Sequence, residues 1–592
     1  MARLQDLIYR LEEGGGARII RYALGIFLLV ALAVVYDVKC FRNFTTEEAM
    51  DMAQLARNIA EGRGYTTDYL RPASLALVKA HSPGQNPRLA NGHPDLANPP
   101  VYPYLLAGWM KVVPMKHVIT DPRKGQFQIH QPDLMVAILN QILLLASVVA
   151  LFLLARSLFD EPAAWLAGAI YAGSGLFWRF SVSGLSTNLI VLMLLLLAGC
   201  LLWLERRGRD EPGAASWRSV LLVSLTAGSL LGLGFLTRYA FGWMLIPVLG
   251  FVVLFLGRYR LAVSVTILTV GLVISVPWLA RNYRLSGNFF GTAGYALIEG
   301  TSEIPDQRLI RSLSPEEVEK KAGARSVVRK LVVNLREIVQ DDLPRLGGNW
   351  IGAFFLAGLM IRFGDPSRIR IRFLIMGSIL TLALVQALGR TRLAVDSPEI
   401  NSENLLVLLA PLVFLFGAVF FLMLLEQLDL AIPGVRWLFS GAVVLIASLP
   451  LILAFAPPRA YAVAYPPYFP PIIQEVAGWM QPAELMMSDV PCGVAWYGRR
   501  QCSALTGDAR QQFFQLNDEF KSVKALYLTP LTLDGRFASQ MIKEKNGWGS
   551  FLIESLTQKV IPKDFPLRIP APGFLPEQFF LTDWERWKMN AP

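Results

Sequence analysis

The chain has 592 residues, of which 54% are hydrophobic and only 17% are charged. A soluble protein of this length needs more polar surface, and the hydrophobic residues occur in long runs, so the composition indicates a membrane protein. The formal net charge is +11, but the basic residues are spread over many helix ends rather than gathered in one basic domain. This distribution argues against nucleic acid as a partner.

The hydrophobic runs predict a polytopic α-helical membrane protein with about eleven transmembrane helices, since a helix needs about 20 apolar residues to cross a bilayer. The predicted spans lie near residues 19–37, 133–155, 161–178, 186–204, 218–236, 239–257, 261–279, 348–362, 373–389, 404–425 and 437–456.

Arginines orient these spans. They cluster in the N-terminal segment and after the predicted fourth, sixth and eighth spans. The positive-inside rule then places the N-terminus in the cytoplasm, and an odd number of spans places the C-terminus outside. We therefore expect a transmembrane domain over 1–456 with outer segments at 38–132 and 280–347, followed by an outer soluble domain over 457–592.

Both outer segments contain stretches suited to the membrane surface. A proline-broken apolar run that ends near residue 118 is too short to span, and the repeat of apolar residues over 327–339 has basic residues opposite it. The tail after 457 begins with a proline-rich stretch and then alternates short apolar runs with helical patterns, which predicts a small α/β domain. Cys492 and Cys502 flank a predicted hairpin there, and either a disulfide or two free thiols fit the sequence.

Two adjacent carboxylates, Glu47 and Glu48, follow the first span and open an amphipathic stretch. In a helix Asp51 shares a face with either of them. One interpretation is that they are first-turn acids capped by Thr45 or Thr46. The other is that the close like charges raise one pKa and prepare a general base, which makes Glu48, Glu47 and Asp51 candidate catalytic residues.

Four arginines lie at span ends on the predicted outer side, where the positive-inside rule leads us to expect few: Arg179, Arg238, Arg281 and Arg284. Arginines at helix ends often snorkel to the interface. However, a guanidinium also binds phosphate through its planar fork of donors, so the four are candidate ligands of a lipid phosphate. His93 and Asp95 are weaker candidates in the first outer segment. The sequence shows no P-loop, dinucleotide fingerprint, HExxH or GxSxG motif, and its cysteines have no metal-ligand spacing.

Several motifs, in this order along the chain, resemble those of the GT-C fold glycosyltransferases, which include bacterial aminoarabinose transferases, protein O-mannosyltransferase-like enzymes and rhizobial lipopolysaccharide core transferases. The matching stretches are Glu47-Glu48 with Ala56-Arg57-Asn58-Ile59-Ala60-Glu61-Gly62, Asn98-Pro99-Pro100-Val101-Tyr102-Pro103, Leu236-Thr237-Arg238, Pro277-Trp278-Leu279-Ala280-Arg281-Asn282-Tyr283 and Ala495-Trp496-Tyr497-Gly498. The chain departs from the pattern in having Glu where Asp is usual, Ser186 where many relatives have Glu, and Asn401-Ser402-Glu403-Asn404 where an arginine is usual.

The resemblance implies an inverting transfer of a sugar from a polyprenyl-phosphate-linked donor to a hydroxyl of a lipid, glycan or protein, at the outer face of a bacterial inner membrane. It implies Glu48 as the catalytic acid group with Glu47 beside it. The four arginines are expected to bind the donor phosphate. Substrate contacts are expected from Arg57, Tyr65, His93, Asp95 and Tyr102. No cofactor is expected to be required, and a divalent cation is left open.

The physical chemistry of the outer face agrees with this class. Nucleotide sugars and ATP are absent there, whereas a lipid-anchored, phosphate-activated sugar is available. Such a reaction needs a base for the acceptor and fixed positive charge for the departing phosphate.

Three alternatives remain: a flippase or lipid-linked glycan carrier, an O-antigen ligase or polymerase, and a GT-C-like pseudoenzyme. A transporter is expected to carry broken or polar helices at mid-membrane, whereas the polar residues here concentrate at the outer ends.

Overall fold

The computed structural model describes residues 15–82, 89, 92–119, 128–209, 216–305, 308–348, 350–361, 363–391, 400–428, 433–456, 469–529, 531, 548, 551, 555, 561–571 and 578–590. Its α-helices, apart from one three-residue turn, are α1 Gly15–Cys40, α2 Glu47–Ala60, α3 Pro72–His81, α4 Val101–Val112, α5 Gln131–Leu158, α6 Glu161–Gly173, α7 Gly175–Val182, α8 Thr187–Arg209, α9 Trp217–Phe235, α10 Leu245–Phe255, α11 Arg260–Ser286, α12 Pro315–Glu319, α13 Ala324–Glu337, α14 Trp350–Met360, α15 Pro366–Gly389, α16 Ala410–Gln427, α17 Pro433–Ala447, α18 Leu449–Phe455, α19 Pro470–Gly478, α20 Pro491–Tyr497 and α21 Gln511–Gln515.

Seven helices in the described ranges are long and apolar enough to cross a membrane, and the bent pair α17–α18 makes an eighth candidate. Two shorter apolar helices, over 239–255 and 350–360, fall on the predicted sixth and eighth spans. The predicted third span, 161–178, is wrong as a single helix. It divides into α6 and α7 at Ser174, whose backbone is extended, and Gly175 there packs closely against the backbone of Leu451.

The centre of the bundle is formed by α8 and α16, whose apolar stretches are 72% and 78% buried. By contrast only 11% of the apolar stretch of α1 is buried, so this helix is peripheral and its side chains face outward. This is the pattern expected in a bilayer, where the outer helices present apolar residues to lipid.

The strands are β1 Thr66–Thr67, β2 Tyr69–Leu70, β3 His93–Pro94, β4 Leu485–Ser488, β5 Gln501–Ala504, β6 Val523–Leu528, β7 Ile569–Pro570 and β8 Phe579–Thr582. β1 pairs with β3, and the other six form one sheet in the order β2-β5-β4-β6-β8-β7. The pairs β2–β5, β5–β4 and β4–β6 are parallel, and the remaining two are antiparallel.

The α/β domain is therefore not formed by the tail alone. Strand β2 of the first outer segment extends its sheet, with Tyr69 opposite Cys502. Alternate residues of β4 join two different cores: Leu485 and Met487 pack within the α/β domain, whereas Met486 belongs to the core of the membrane domain. The predicted boundary at 456/457 thus omits a strand, and the sheet is buried on both faces like other mostly parallel sheets. Cys492 and Cys502 are free, buried thiols, which is the second of the two alternatives that fit the sequence.

Candidate active site

Helix α2 begins at Glu47, directly after Thr46, whose extended backbone makes it the N-cap residue. The Thr46 side chain makes no capping hydrogen bond, and its hydroxyl is buried with no partner in the described part of the chain. All residues from Ala49 to Asn58 are buried, because α2 is enclosed by α4 and α20. The two glutamates therefore begin a helix that lies inside the protein, not on its surface.

Glu47 and Glu48 face different surroundings, because consecutive residues of an α-helix point about 100° apart. Glu47 lies within electrostatic range of Tyr69 and Cys492, at the junction with the α/β domain. Glu48 lies near Arg238 and the segment that carries Ser402 and Glu403.

Glu48 is partly exposed, and it lies where the charges of Arg238 and Glu403 act on it. Burial, reinforced by the Glu403 carboxylate, raises the pKa of Glu48 above its ordinary value. A hydrogen bond with Ser402 and the charge of Arg238 oppose this rise. A carboxylate with a raised pKa is a stronger base once it is ionised.

Arg238 is 91% buried and precedes the 3₁₀ turn Tyr239–Met244. One terminal nitrogen donates to the hydroxyls of Ser186 and Thr187, at 3.3 and 3.1 Å. The other terminal nitrogen is buried and finds no hydrogen-bond partner among the described residues. Burial lowers the pKa of Arg238 to about 10, which leaves the guanidinium charged at neutral pH. A buried charged donor without a partner is unfavourable, so this nitrogen suits an anionic ligand.

Asp51 is held in a buried network and is not free to act on a substrate. Its Oδ1 accepts from Gln54 at 3.2 Å, and its Oδ2 accepts from Arg71 and Asn98 at 2.5 and 2.7 Å. Arg71 also reaches Asp95 at 3.5 Å. Burial and the charge of Asp51 raise the pKa of Asp95 to about 6. These groups fix the loop over 95–98 against α2.

Arg281 lines an open apolar groove of about 460 Å³. Its guanidinium stacks over the rings of Trp278 and Tyr65, with centroid distances of 4.5 and 5.1 Å, and donates to the backbone oxygen of Asp95 at 2.9 Å. The groove is lined by Pro100, Val101, Tyr104, Leu236, Ile274, Pro277, Trp278 and Arg281. A long apolar wall with one cation has the chemistry of a site for a lipid phosphate.

The structure separates the other predicted arginines from this groove. Arg284 is exposed on the last turn of α11. Arg179 is exposed on α7, next to Trp178, whose ring contacts Tyr36 of α1. Neither lines the groove or is among the charges that act on Glu48. Of the four arginines, only Arg238 and Arg281 lie in the candidate site.

Four predicted substrate-binding residues make internal contacts instead. Arg57 is buried and donates to the carbonyls of Trp496 and Ala495, both at 2.9 Å, and to Asp68 at 3.1 Å.

His93 is buried against Ser74, at 2.8 Å from its hydroxyl, and burial lowers the pKa of His93 to about 3. Tyr102 is fully buried and donates to the carbonyl of Gly184 at 2.8 Å. Asp95 belongs to the Asp51 network. Tyr65 alone of the five borders the groove, through its ring contacts with Trp278 and Arg281.

Three residues of the site were not predicted: Arg71, Ser402 and Glu403. Arg71 was detectable in principle, because Asp51 and Asp95 on buried segments require a cation. Ser402 and Glu403 stand in the segment where the family motif has an arginine, which by itself indicates no role for them. The Glu403 carboxylate accepts from the amide and hydroxyl of Thr391, at 3.1 and 2.6 Å, which holds its loop over Glu48. Among the described residues, no three side chains of His, Cys, Asp or Glu are arranged to hold a metal ion.

The candidate site and the basic loops lie at opposite ends of the bundle. Helix α8 begins at Thr187, which contacts Arg238, and ends at Arg209. Near that far end, Glu205 is buried and accepts from Arg209 and Arg370, at 2.9 and 2.5 Å. Its 23 residues correspond to about 35 Å of helix, enough to cross a bilayer.

The comparisons with known proteins agree with this architecture. Residues 124–280 match a family model described as dolichyl-phosphate-mannose-protein mannosyltransferase. Among solved structures, ArnT from Cupriavidus metallidurans bound to undecaprenyl phosphate is 13% identical, with a TM-score of 0.55 over 94% of this chain and 98% of that one. No curated protein sequence matches the chain significantly.

A second similar structure is the Archaeoglobus fulgidus oligosaccharyltransferase tethered with an acceptor peptide, at 11% identity and a TM-score of 0.53, over 91% of this chain and 72% of that one. These similarities show the fold. The chain is a multi-span membrane protein with the GT-C fold of membrane glycosyltransferases, which confirms the resemblance seen in the sequence. Within that fold, its family-level similarity is to the mannosyltransferase model over about a quarter of its length.

Proposed function

We propose that this protein is an inverting glycosyltransferase that moves a sugar from a polyprenyl-phosphate-linked donor to a hydroxyl of a lipid, glycan or protein. The observation that carries the proposal is an apolar groove lined by Arg281 and, on the same side of the bundle, a buried Arg238 beside Glu48. One terminal nitrogen of Arg238 has no hydrogen-bond partner among the described residues. Leu236 lines the groove two residues before Arg238, whose charge acts on Glu48, so a short segment links the groove to these two groups. The family model and the undecaprenyl phosphate bound by ArnT support a lipid-linked donor.

In the proposed reaction, the prenyl chain lies along the groove and the donor phosphate faces Arg238 and Arg281. Ionised Glu48 accepts the proton of the acceptor hydroxyl as its oxygen attacks the anomeric carbon. The bond between that carbon and the phosphate oxygen breaks, and the polyprenyl phosphate departs with the electron pair. The two arginines stabilise the negative charge that develops there, and attack opposite the leaving group inverts the anomeric centre.

The site is proposed to face the outside of a bacterial inner membrane, with the N-terminus in the cytoplasm. The basic loops lie at the far end of the bundle, and the positive-inside rule assigns that end to the cytoplasm. This orientation explains why the donor is a lipid, because soluble nucleotide sugars are absent from the outer face.

The test supplies the purified full chain in nanodiscs with polyprenyl-phosphate sugars labelled in the sugar, together with cell-envelope extract as a mixture of acceptors. Transfer of label is expected. Donor binding is measured separately with Arg238→Gln, which removes the phosphate contact but preserves an amide donor. We expect Arg238→Gln to weaken donor binding about tenfold to a hundredfold, the range for a charge-assisted hydrogen bond.

The control is Arg284→Gln, an exposed arginine at the same end of the bundle. Equal donor affinity in the unsubstituted chain and Arg238→Gln would contradict the phosphate assignment. If no label reaches an acceptor and, in sealed vesicles, the labelled donor crosses the bilayer intact, the alternative of a lipid-linked glycan carrier is favoured.

A further inference from the structure

Helix α13, Ala324–Glu337, has an inverted distribution of polar and apolar residues. Its buried stripe is polar: Ser326, Lys330 and Asn334 are only 6%, 4% and 1% exposed. On the other side of the helix, Val328 and Val332 are 58% and 60% exposed. A helix in water buries its apolar face, so this arrangement is suited to an apolar phase outside the protein.

The buried polar stripe fixes the depth of α13 relative to the bundle. Asn334 donates to the carbonyl of Ala387 at 2.9 Å, two residues before α15 ends at Gly389. Lys330 donates to the carbonyls of Ala296 and Glu299, at 2.7 and 2.6 Å. Helix α13 therefore lies at the level of the end of a membrane-spanning helix.

Lipid-facing side chains of α15 reach almost to the same level. Leu380 and Leu384 are 64% and 38% exposed, and Leu384 precedes the contact at Ala387 by less than one turn. The apolar surface of the span thus continues close to the exposed valines of α13.

Basic residues flank the exposed valines. At 100° per residue, Val328 and Val332 are about 40° apart, and Arg325, Arg329 and Arg336 occupy the adjacent arc of about 40°. The three arginines are exposed. Apolar side chains beside a row of cations are typical of a helix that lies at a lipid surface, with the cations at the phosphate groups.

We infer that α13 lies on the leaflet at the site end of the bundle. Its valines enter the boundary of the acyl chains, and Arg325, Arg329 and Arg336 bind the phosphates of anionic lipids. Because the row of arginines is positively charged, the lipid surface that this face contacts is anionic. This position of α13 does not depend on the proposed enzymatic activity.

The test places a nitroxide label on Val332→Cys in the full chain, reconstituted in nanodiscs of zwitterionic lipid with or without phosphatidylglycerol. The unsubstituted chain, whose cysteines are buried or half-buried, gives the background labelling. Asp518→Cys, on the exposed surface of the α/β domain, is the aqueous reference. We expect the ratio of oxygen to water-soluble nickel accessibility at 332 to exceed that at 518 roughly tenfold, because the label enters the acyl boundary.

Phosphatidylglycerol is expected to drive the label deeper. The triple variant Arg325→Gln, Arg329→Gln, Arg336→Gln should lose this response, with a preference for anionic lipid weaker on the order of a hundredfold. The control Arg258→Gln, Arg260→Gln alters exposed arginines at the opposite end and should leave the response at 332 unchanged. Size-exclusion profiles verify that each variant folds. The label on Val332→Cys in the chain with intact arginines is sufficient to test whether the helix lies at the acyl boundary.

Three results would overturn the inference. Access of the nickel complex to residue 332 would show a face in water. Protection from both reagents would show that a protein segment or a second copy covers the face. If phosphatidylglycerol does not change the depth of the label in the chain with intact arginines, the assignment to anionic lipid is wrong.

Discussion

Neighbouring glutamates at the start of α2 give a matched test of the proposed base. Glu48→Gln keeps the size of the side chain and an oxygen that accepts from Ser402, but it cannot take up a proton. Loss of a general base lowers rates about 10²- to 10⁴-fold, which corresponds to about 3 to 5 kcal/mol in the activation barrier. We therefore expect kcat to fall by this factor.

The same substitution is expected to leave folding and donor binding intact. It removes a carboxylate whose pKa is raised by burial and by Glu403, so the thermal midpoint should stay the same or rise. It also removes a negative charge close to Arg238, so affinity for the donor phosphate should not weaken. Labelled-sugar transfer gives kcat, and donor titration in nanodiscs gives affinity.

Glu47→Gln is the control, because Glu47 faces Tyr69 and Cys492 rather than Arg238. We expect its kcat to stay within a few-fold of the unsubstituted value. The assignment of Glu48 is refuted if Glu48→Gln retains comparable activity, or if both variants lose activity equally together with their thermal stability.

Three further predictions concern residues around the site. Glu403→Gln removes the like charge that raises the pKa of Glu48, so the acidic limb of the pH–rate profile should move to lower pH; an unchanged limb would contradict the coupling. Burial raises the pKa of Glu299 to about 7 from its ordinary 4.5, so ionisation of Glu299 destabilises the folded state increasingly from about pH 4 to pH 8. Glu299→Gln should therefore stabilise the protein by about 3 kcal/mol more at pH 8 than at pH 4, measured as a pH-dependent gain in thermal midpoint. Arg57→Gln breaks a buried ion pair with Asp68, so it should cost about 3 kcal/mol and expose the α/β domain to limited proteolysis, whereas Arg63→Gln, on an exposed arginine that also contacts Asp68, should cost less than about 1 kcal/mol.

Local patterns predicted the elements of this fold well, because hydrophobic periodicity and charge report on a helix and its immediate surroundings. The eleven predicted spans all fall on helical segments, and the acidic residues 47 and 48 do open a helix. Length alone did not distinguish a full span from α6 and α7, since the extended backbone at Ser174 depends on close packing against Leu451.

Contacts distant in sequence explain the differences within the site. Arg57 belongs to a motif that suggests a ligand, yet its donors meet carbonyls about 440 residues later. Glu403 reaches Glu48 only because its loop is tied to Thr391. Neither contact produces a periodic pattern in the sequence. Residue type and spacing therefore predicted a substrate contact for Arg57 and no role for Glu403.

The strand shared between the first outer segment and the tail has a consequence for biogenesis. Chains are synthesised from the N-terminus, so β2 and Arg57 emerge long before β5 and the carbonyls of α20 exist. Until α20 and β5 have been synthesised, α2 lacks the wall that α20 provides, and Arg57 lacks the carbonyls to which it donates. A chain that stops before residue 491 would therefore leave α2 uncovered on this side and the sheet without its pairing partner for β2.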